Sequence, residues 1–107
     1  MKTLYIAEIG LNHFGKTRYI NQFLKNLFKY NIDGVTIQVL KDSFYKKKFE
    51  NFKLKEKEII NFIKKVKDKK KKVGIVTDDE SKVNLFAKYN VDFYKILSSN
   101  ITNINLI

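Results

Sequence analysis

The segment Glu8 to Thr17, EIGLNHFGKT, holds the residues that most directly suggest chemistry. From Gly10 it fits G-x-x-x-x-G-K-[ST], in which backbone N–H groups surround a phosphate and the lysine and hydroxyl bind phosphate and Mg²⁺. The residues between the two glycines are bulky, whereas such a loop favours small residues. Read from Glu8, the same segment is a carboxylate at the end of a predicted strand, followed by a polar turn. The predicted strands and helices around this segment distinguish a nucleotide-binding loop from the rim of another kind of active site.

These surrounding elements alternate between strands and helices. Hydrophobic periodicity predicts strands at 4–9, 34–40, 72–77 and 91–97, and helices at 16–30, 57–69 and about 78–89. The Thr77–Glu80 spacing is that of a capping box. LFKYNIDGVTI and LFAKYNVDFYKI repeat one plan, in which a helix ends at Lys-Tyr-Asn with Asn as a left-handed cap. The order predicts an α/β fold with parallel strands, either an open doubly wound sheet or the first half of a (β/α)8 TIM barrel.

Polar side chains recur at or near the C-terminal end of each predicted strand: Glu8, Thr36 with Gln38, Thr77 and Lys95. Parallel strands covered on both faces are normally apolar, and an ionisable group there is costly unless it is paired or used. In a barrel these strand ends meet at one mouth, where active sites lie. The pattern therefore indicates a functional rim, and the alternative is a Glu8–Lys95 salt bridge that only stabilises the fold.

The composition restricts the classes of partner. The 107 residues carry a net charge of +11, but Arg18 is the only arginine, and base recognition relies on arginine. A nucleic-acid partner is therefore not expected. The absence of cysteine excludes disulfides and thiolate metal sites. The apolar run near the start is too short for a membrane span or a signal peptide, so we expect no membrane partner and a cytoplasmic location.

The segment 41–56 interleaves phenylalanine and tyrosine with lysine and shows no clear period. This composition is typical of an active-site loop with a lysine-covered surface. A non-catalytic basic module that stacks on single-stranded nucleic acid is the alternative.

Three stretches resemble the N-acylneuraminate (sialic acid) synthase family. YIAEIGLNHFG (5–15) is similar to its opening strand and loop, A-E-I-G-x-N-H-x-G, and NIDGVTIQ (31–38) to its second strand. Residues 76–107 resemble its third and fourth units, whereas 41–70 match poorly. The resemblance implies that residues 1–107 are a single partial domain, the N-terminal half of a TIM barrel.

The family reaction implied is condensation of phosphoenolpyruvate with an N-acyl mannosamine-type sugar to a nonulosonic acid. By position, the resemblance implies catalytic roles for Glu8 and Lys95, with Glu8 orienting the sugar or a water. It implies that six other residues bind substrate or shape the loops around it: Asn12, His13, Gln38, Thr77, Ser98 and Asn103. A trianionic ligand favours an ammonium group and hydroxyl donors, which suits Lys95, Thr77 and Ser98.

The chain departs from the family pattern at several positions. The family's strand-two lysine is Thr36 here, which removes a charge-assisted contact, and its acid after Ser98 is Asn100. The family uses Mn or Mg bound by histidines on later strands, but His13 is the only histidine here. A full barrel needs about 250 residues. We therefore expect the chain alone to be inactive, and to require self-association or a second chain that supplies the missing half-barrel.

Overall fold

The computed structural model describes residues 3–97, apart from the side chain of Lys47. Strands and α-helices alternate within this range: β1 (Ile6–Gly10), α1 (Thr17–Leu27), β2 (Gly34–Gln38), α2 (Glu56–Asp68), β3 (Lys72–Thr77), α3 (Glu80–Ala87) and β4 (Phe93–Ile96). Two 3-10 turns, Asp42–Tyr45 and Lys47–Phe52, lie between β2 and α2. The order of elements predicted from the sequence is confirmed. None of the helices in this range has the length and apolar character needed to cross a lipid bilayer.

The four strands form one parallel sheet in the order β1-β2-β3-β4. A doubly wound sheet reverses its strand order at a switch point, and these strands show no such reversal. The sequential order is instead that of a TIM barrel, in which each strand lies beside the preceding one. The fold is therefore α/β and consistent with the first half of such a barrel.

The hydrophobic core lies on one face of the sheet. Alternate residues of the central strands, among them Val35, Ile37, Val73 and Ile75, are fully buried there. They pack against buried side chains of all three helices: Ile20, Leu24, Ile59, Phe62, Ile63, Val66 and Phe86. Each such side chain contributes roughly 1.5–3 kcal/mol on full burial. Because the core places these helices on one side, the opposite face of the sheet is left uncovered by them.

The repeated sequence plan has a structural purpose at the N-terminal ends of the strands. Oδ2 of Asp33, before β2, accepts the backbone N–H of Tyr5 at 2.8 Å. Oδ2 of Asp92, before β4, accepts the N–H of Val73 at 2.8 Å. In both repeats the aspartate therefore fixes the neighbouring strand. Asn90 has the expected left-handed conformation, with φ +62°, whereas Asn31, its counterpart in the first repeat, does not have a positive φ.

One detail of the third helix differs from the prediction. The residue that caps α3 is Asp79, whose side chain accepts the N–H of Ser81 at 2.9 Å, and not Thr77. Thr77 is still the last residue of β3, paired with Ile96, and its hydroxyl accepts the N–H of Asp79 at 3.2 Å. The predicted capping box is therefore wrong, because α3 begins only at Glu80, so its N-cap position is Asp79 and Thr77 still belongs to β3.

Candidate active site on the uncovered face of the sheet

The two outer strands are connected by a side-chain ion pair. Nζ of Lys95 in β4 lies 3.3 Å from Oε2 of Glu8 in β1, and the two side chains are 56% and 45% exposed. Strands in a flat sheet are about 4.8 Å apart, which would separate β1 and β4 by about 14 Å. The contact therefore fits a strongly curved sheet whose uncovered face is concave. We call this face, with Glu8 and Lys95 near the carboxyl ends of their strands, the concave face.

Two further polar residues lie on the concave face between this pair. Glu8 is opposite Thr36 in β2, and Lys95 is opposite Val76, which is itself opposite Gln38. Thr36 is only 3% exposed, and its hydroxyl has no hydrogen-bond partner among the described residues. Leaving a buried hydroxyl unpaired costs about 1–3 kcal/mol. The concave face thus combines a carboxylate, an ammonium group, an amide and an unpaired hydroxyl.

Aromatic packing fills the deeper part of the concave face. A Cβ added at Gly74 would lie 2.3 Å from the ring of Phe93 in the neighbouring strand. The ring therefore lies directly over the backbone of β3, where a side chain on residue 74 has no room. This close approach limits the accessible polar surface to the strand ends around Glu8 and Lys95.

Thr77 is not brought to the Glu8–Lys95 pair. Alternation along β3 places it with Val73 and Ile75, which belong to the core on the helix side. The side chain is 1% exposed, and its hydroxyl is used in the turn that leads to α3. The placement of Thr77 therefore gives the expected contact with phosphoenolpyruvate no support.

Asn12 and His13 act within the loop after β1. Nδ2 of Asn12 donates to the carbonyl oxygen of Ile9 at 2.9 Å. His13 is 1% exposed, and its Nδ1 accepts the N–H of Gly15 at 2.8 Å. Burial lowers the pKa of the His13 imidazole, and the charge of Glu58 partly opposes this effect. The imidazole is therefore neutral at pH 7 and carries its proton on Nε2, which has no partner in the described part of the chain.

The same loop is held by the segment that precedes and begins α2. The hydroxyl of Thr17 donates to the carboxylate of Glu58, which also accepts the N–H of Lys55 at 3.0 Å. Burial opposes ionisation of Glu58, but these hydrogen bonds together hold its pKa below the usual range. Sequence reasoning missed this role. The spacing of Glu58 three residues after Lys55 matches only half of a capping box, because the Lys55 side chain has no acceptor, so the signal in the sequence was weak.

Aromatic side chains of the segment 41–56 are used in packing. The rings of Phe44 and Phe49 stack at 4.9 Å, and Phe52 contacts both Phe49 and the loop residue Phe14, at 5.9 and 5.5 Å. Tyr45 is buried, and its hydroxyl accepts the N–H of Leu40. Rings engaged with one another in this way are not free platforms for bases, so the geometry argues against the basic nucleic-acid module.

The nucleotide-binding interpretation of Gly10–Thr17 does not fit the loop either. The N–H groups of Asn12, Phe14 and Lys16 all donate to carbonyl oxygens inside the turn, and that of Gly15 donates to an imidazole. The hydroxyl that would bind Mg²⁺ donates to a carboxylate of α2. A phosphate-binding loop needs these donors free and directed at the ligand.

A cavity of about 570 Å³ lies elsewhere, between the second 3-10 turn, the start of α2 and α3. Lys53 and Lys82 on its wall each lie 3.1 Å from Asp42, and their hydrogen bonds lower the pKa of that carboxyl group. The cavity is therefore bordered by exposed ion pairs and is separate from the concave face.

The residues predicted beyond β4 cannot be placed, since Ser98, Asn100 and Asn103 lie outside the described residues. Within residues 3–97, no group of three or more histidine, cysteine or acidic residues could hold a metal ion. His13 is buried and engaged with the loop. The described residues therefore do not fit the family's Mn or Mg, and we derive no step through a metal.

Neither a protein-family model nor a curated protein matches the chain. Solved structures with a similar fold were found. One is the N-acetylneuraminic acid (sialic acid) synthetase of Leptospira borgpetersenii serovar Hardjo-bovis in complex with citrate, with TM-score 0.87, 19% identity and 99% of this chain covered. Another is a spore coat polysaccharide biosynthesis protein of Bacillus subtilis, with TM-score 0.77, 20% identity and 96% covered. The chain spans 40% and 31% of their lengths. At these identities the likeness shows the fold alone: the chain has the parallel β/α arrangement of these two proteins, consistent with the first half of a TIM barrel.

Proposed function

We propose that the chain corresponds to the N-terminal half, (β/α)3β, of a sialic acid synthase-like barrel that acts in carbohydrate biosynthesis in the cytoplasm. The reaction is condensation of phosphoenolpyruvate with an N-acyl mannosamine-type sugar, in which a carbon–carbon bond forms, water is consumed and inorganic phosphate is released. The observation that carries the proposal is the Glu8–Lys95 pair on the concave face, near the carboxyl ends of the two outer strands. Active sites of such barrels lie at this end.

The pair suits a site that has to accept an anion. An ion pair with both side chains about half exposed contributes about 1 kcal/mol or less, so a carboxylate or phosphate can replace Glu8 at Lys95 at small cost. Lys95 would then hold phosphoenolpyruvate, and the released Glu8 would orient a sugar hydroxyl or a water. Thr36 and Gln38 lie between them as neutral hydrogen-bonding groups.

The site needs more residues than those described. Four strands form only half of an eight-stranded barrel. We propose that residues outside this half-barrel, from a second copy or from another chain, complete the mouth, and that the half-barrel alone has little or no synthase activity.

Thermal shift measurements with phosphoenolpyruvate test the binding part of this proposal. We expect phosphoenolpyruvate to raise the melting temperature of the wild type and of Lys57→Ala, which removes an exposed lysine of α2. Lys95→Ala should lose this response, because the anion loses its ammonium partner. Mg-ATP should have no effect. Stabilisation by Mg-ATP but not by phosphoenolpyruvate would overturn the proposal.

A further inference from the structure

The two outer strands of the sheet are open to further pairing. Within residues 3–97, β1 pairs with β2 alone and β4 pairs with β3 alone. Each outer edge therefore presents backbone N–H and C=O groups that a parallel strand could bind. Since the sheet is curved, a second curved sheet can meet both edges at once.

The charges at the two edges are complementary. β1 carries Glu8 and β4 carries Lys95, both near the carboxyl ends of their strands. If β4 of one copy lies beside β1 of another in the register that brings their carboxyl ends level, Lys95 of the first copy faces Glu8 of the partner subunit across adjacent strands, about 4.8 Å apart. The strands that carry the two residues would then be adjacent, whereas within one chain Lys95 and Glu8 contact each other across the two intervening strands β2 and β3. A two-fold arrangement makes this contact twice.

The flank formed by β1 and α1 also exposes apolar surface. In the part of the chain that the structure describes, all but one of the large exposed hydrophobic side chains lie between residues 4 and 30: Leu4, Tyr5, Ile6, Phe14, Phe23 and Tyr30. Two of these side chains, Phe14 and Phe23, border the same surface groove, and exposed apolar surface of this kind can mark an interaction surface. In a closed barrel this flank lies beside the strand that pairs with the free edge of β1, and beside the helix that follows that strand.

We propose that two copies of this chain associate about a two-fold axis, with β4 of each beside β1 of the other, and that the Glu8–Lys95 pair is exchanged between the subunits. The assembly is a closed barrel of eight parallel strands with no free sheet edge. The inference names the partner that completes the site of the proposed function, but it depends only on the geometry and charges of the sheet. The net charge of +11 per chain opposes association, so the dimer needs physiological salt, where the screening length is about 8 Å.

Charge reversal at the two positions tests the exchange. In a dimer of Glu8→Lys both junctions carry two lysines, and in a dimer of Lys95→Glu both carry two glutamates. We expect each variant to have a dimer dissociation constant raised about tenfold or more, measured by analytical ultracentrifugation, because two favourable pairs become repulsive. An equimolar mixture of the two variants restores complementary charges at both junctions, so a heterodimer of wild-type affinity should form.

The matched controls reverse the same charges away from the sheet edges. Glu50→Lys and Lys57→Glu change exposed residues of the second 3-10 turn and of α2 and should leave the dissociation constant unchanged. Circular dichroism melts identify a variant that fails to fold. In that case the double variant Glu8→Lys/Lys95→Glu is measured instead, and its dimer dissociation constant should equal that of the wild type, because both junctions again carry opposite charges. A wild-type monomer at 100 μM overturns the inference, and so does a dimer that is indifferent to both reversals.

The two proposals fail separately. A monomer whose melting temperature rises with phosphoenolpyruvate contradicts the dimer and leaves the proposed function standing. A dimer that shows charge-swap complementation without a phosphoenolpyruvate response supports the association and contradicts the function.

Discussion

The hydroxyl of Thr17 at the start of α1 donates a hydrogen bond to the carboxylate of Glu58 in the first turn of α2. These residues are 41 positions apart, and their contact ties the loop after β1 to the segment that follows β2. Glu58 also accepts the backbone N–H of Lys55, so one carboxylate both caps α2 and holds the loop after β1, at the carboxyl ends of the strands. The position of the loop therefore depends on α2 as well as on β1.

Removing this hydroxyl should destabilise the fold. For Thr17→Val we expect the free energy of unfolding to fall by about 1–3 kcal/mol, because a partly buried carboxylate loses a donor. Thr17→Ser keeps the donor and should lose much less. Urea denaturation at pH 7 measures both changes. Equal losses in the two variants would show that packing of the Thr17 methyl group, and not the hydrogen bond, holds the loop.

The buried imidazole of His13 should make stability depend on pH. Burial lowers its pKa in the folded state below the ordinary value of 6.5, so the unfolded chain binds the proton more readily. The stability that this difference provides is present above about pH 6.5 and is lost as the pH falls toward the folded-state pKa. We expect wild-type unfolding free energies, measured between pH 7.5 and 5.5, to decrease with pH.

His13→Gln separates this effect from the titration of the carboxylates. The pKa values of Glu58, Asp92 and Asp42 are all lowered from ordinary values near 4, so these groups lose stability in a more acidic range. The variant removes the titrating imidazole and keeps a side-chain acceptor for the N–H of Gly15. Its stability should change little between pH 7.5 and 5.5. A slope equal to that of the wild type would contradict the assignment to His13.

Gly15, in the loop after β1, should be more sensitive to substitution than Gly10, the last residue of β1. It has φ +72°, and a Cβ there would lie 1.9 Å from the carbonyl oxygen of Asn51. Gly10 has a similar φ of +61°, but its nearest neighbour would be 4.0 Å away. For Gly10→Ala we expect a loss of about 1–2 kcal/mol from backbone strain alone. Gly15→Ala should lose at least about 2 kcal/mol more, since the segment around Asn51 has to move. Similar losses by chemical denaturation would contradict the close contact with Asn51.

The elements were predictable because their signals are local. Hydrophobic periodicity located the described strands and the first two α-helices, and the repeated aspartate before β2 and β4 indicated a recurring unit. The face that Thr77 occupies was not predictable from β3 alone, because alternation groups Thr77 with Ile75 but does not reveal which face of the sheet the helices cover. The contact of Glu8 with Lys95 was foreseen only as an alternative, since it depends on the curvature of the whole sheet.

The segment 41–56 was not predictable in the same way. Its two 3-10 turns have no long-range period, and its rings are ordered by contacts with each other and with Phe14, far away in sequence. The composition of the segment indicated a basic surface, and its described lysine side chains are indeed exposed. It could not reveal that Asn51 and Phe52 pack on the loop after β1.

Replacing Thr36 with valine should separate stability from ligand binding on the concave face. The Thr36 hydroxyl is buried without a partner in the described structure, and valine has nearly the same shape. We expect Thr36→Val to be neutral or to raise the free energy of unfolding by up to about 1 kcal/mol, because an unpaired polar group is removed. If the hydroxyl donates to phosphoenolpyruvate beside Lys95, the thermal shift with this ligand should decrease in the same variant. Thr36→Ser, which keeps the hydroxyl, should retain the ligand response despite a less stable fold. Loss of more than about 1 kcal/mol in Thr36→Val would mean that the hydroxyl already has a partner, and the group would then not be available to a ligand.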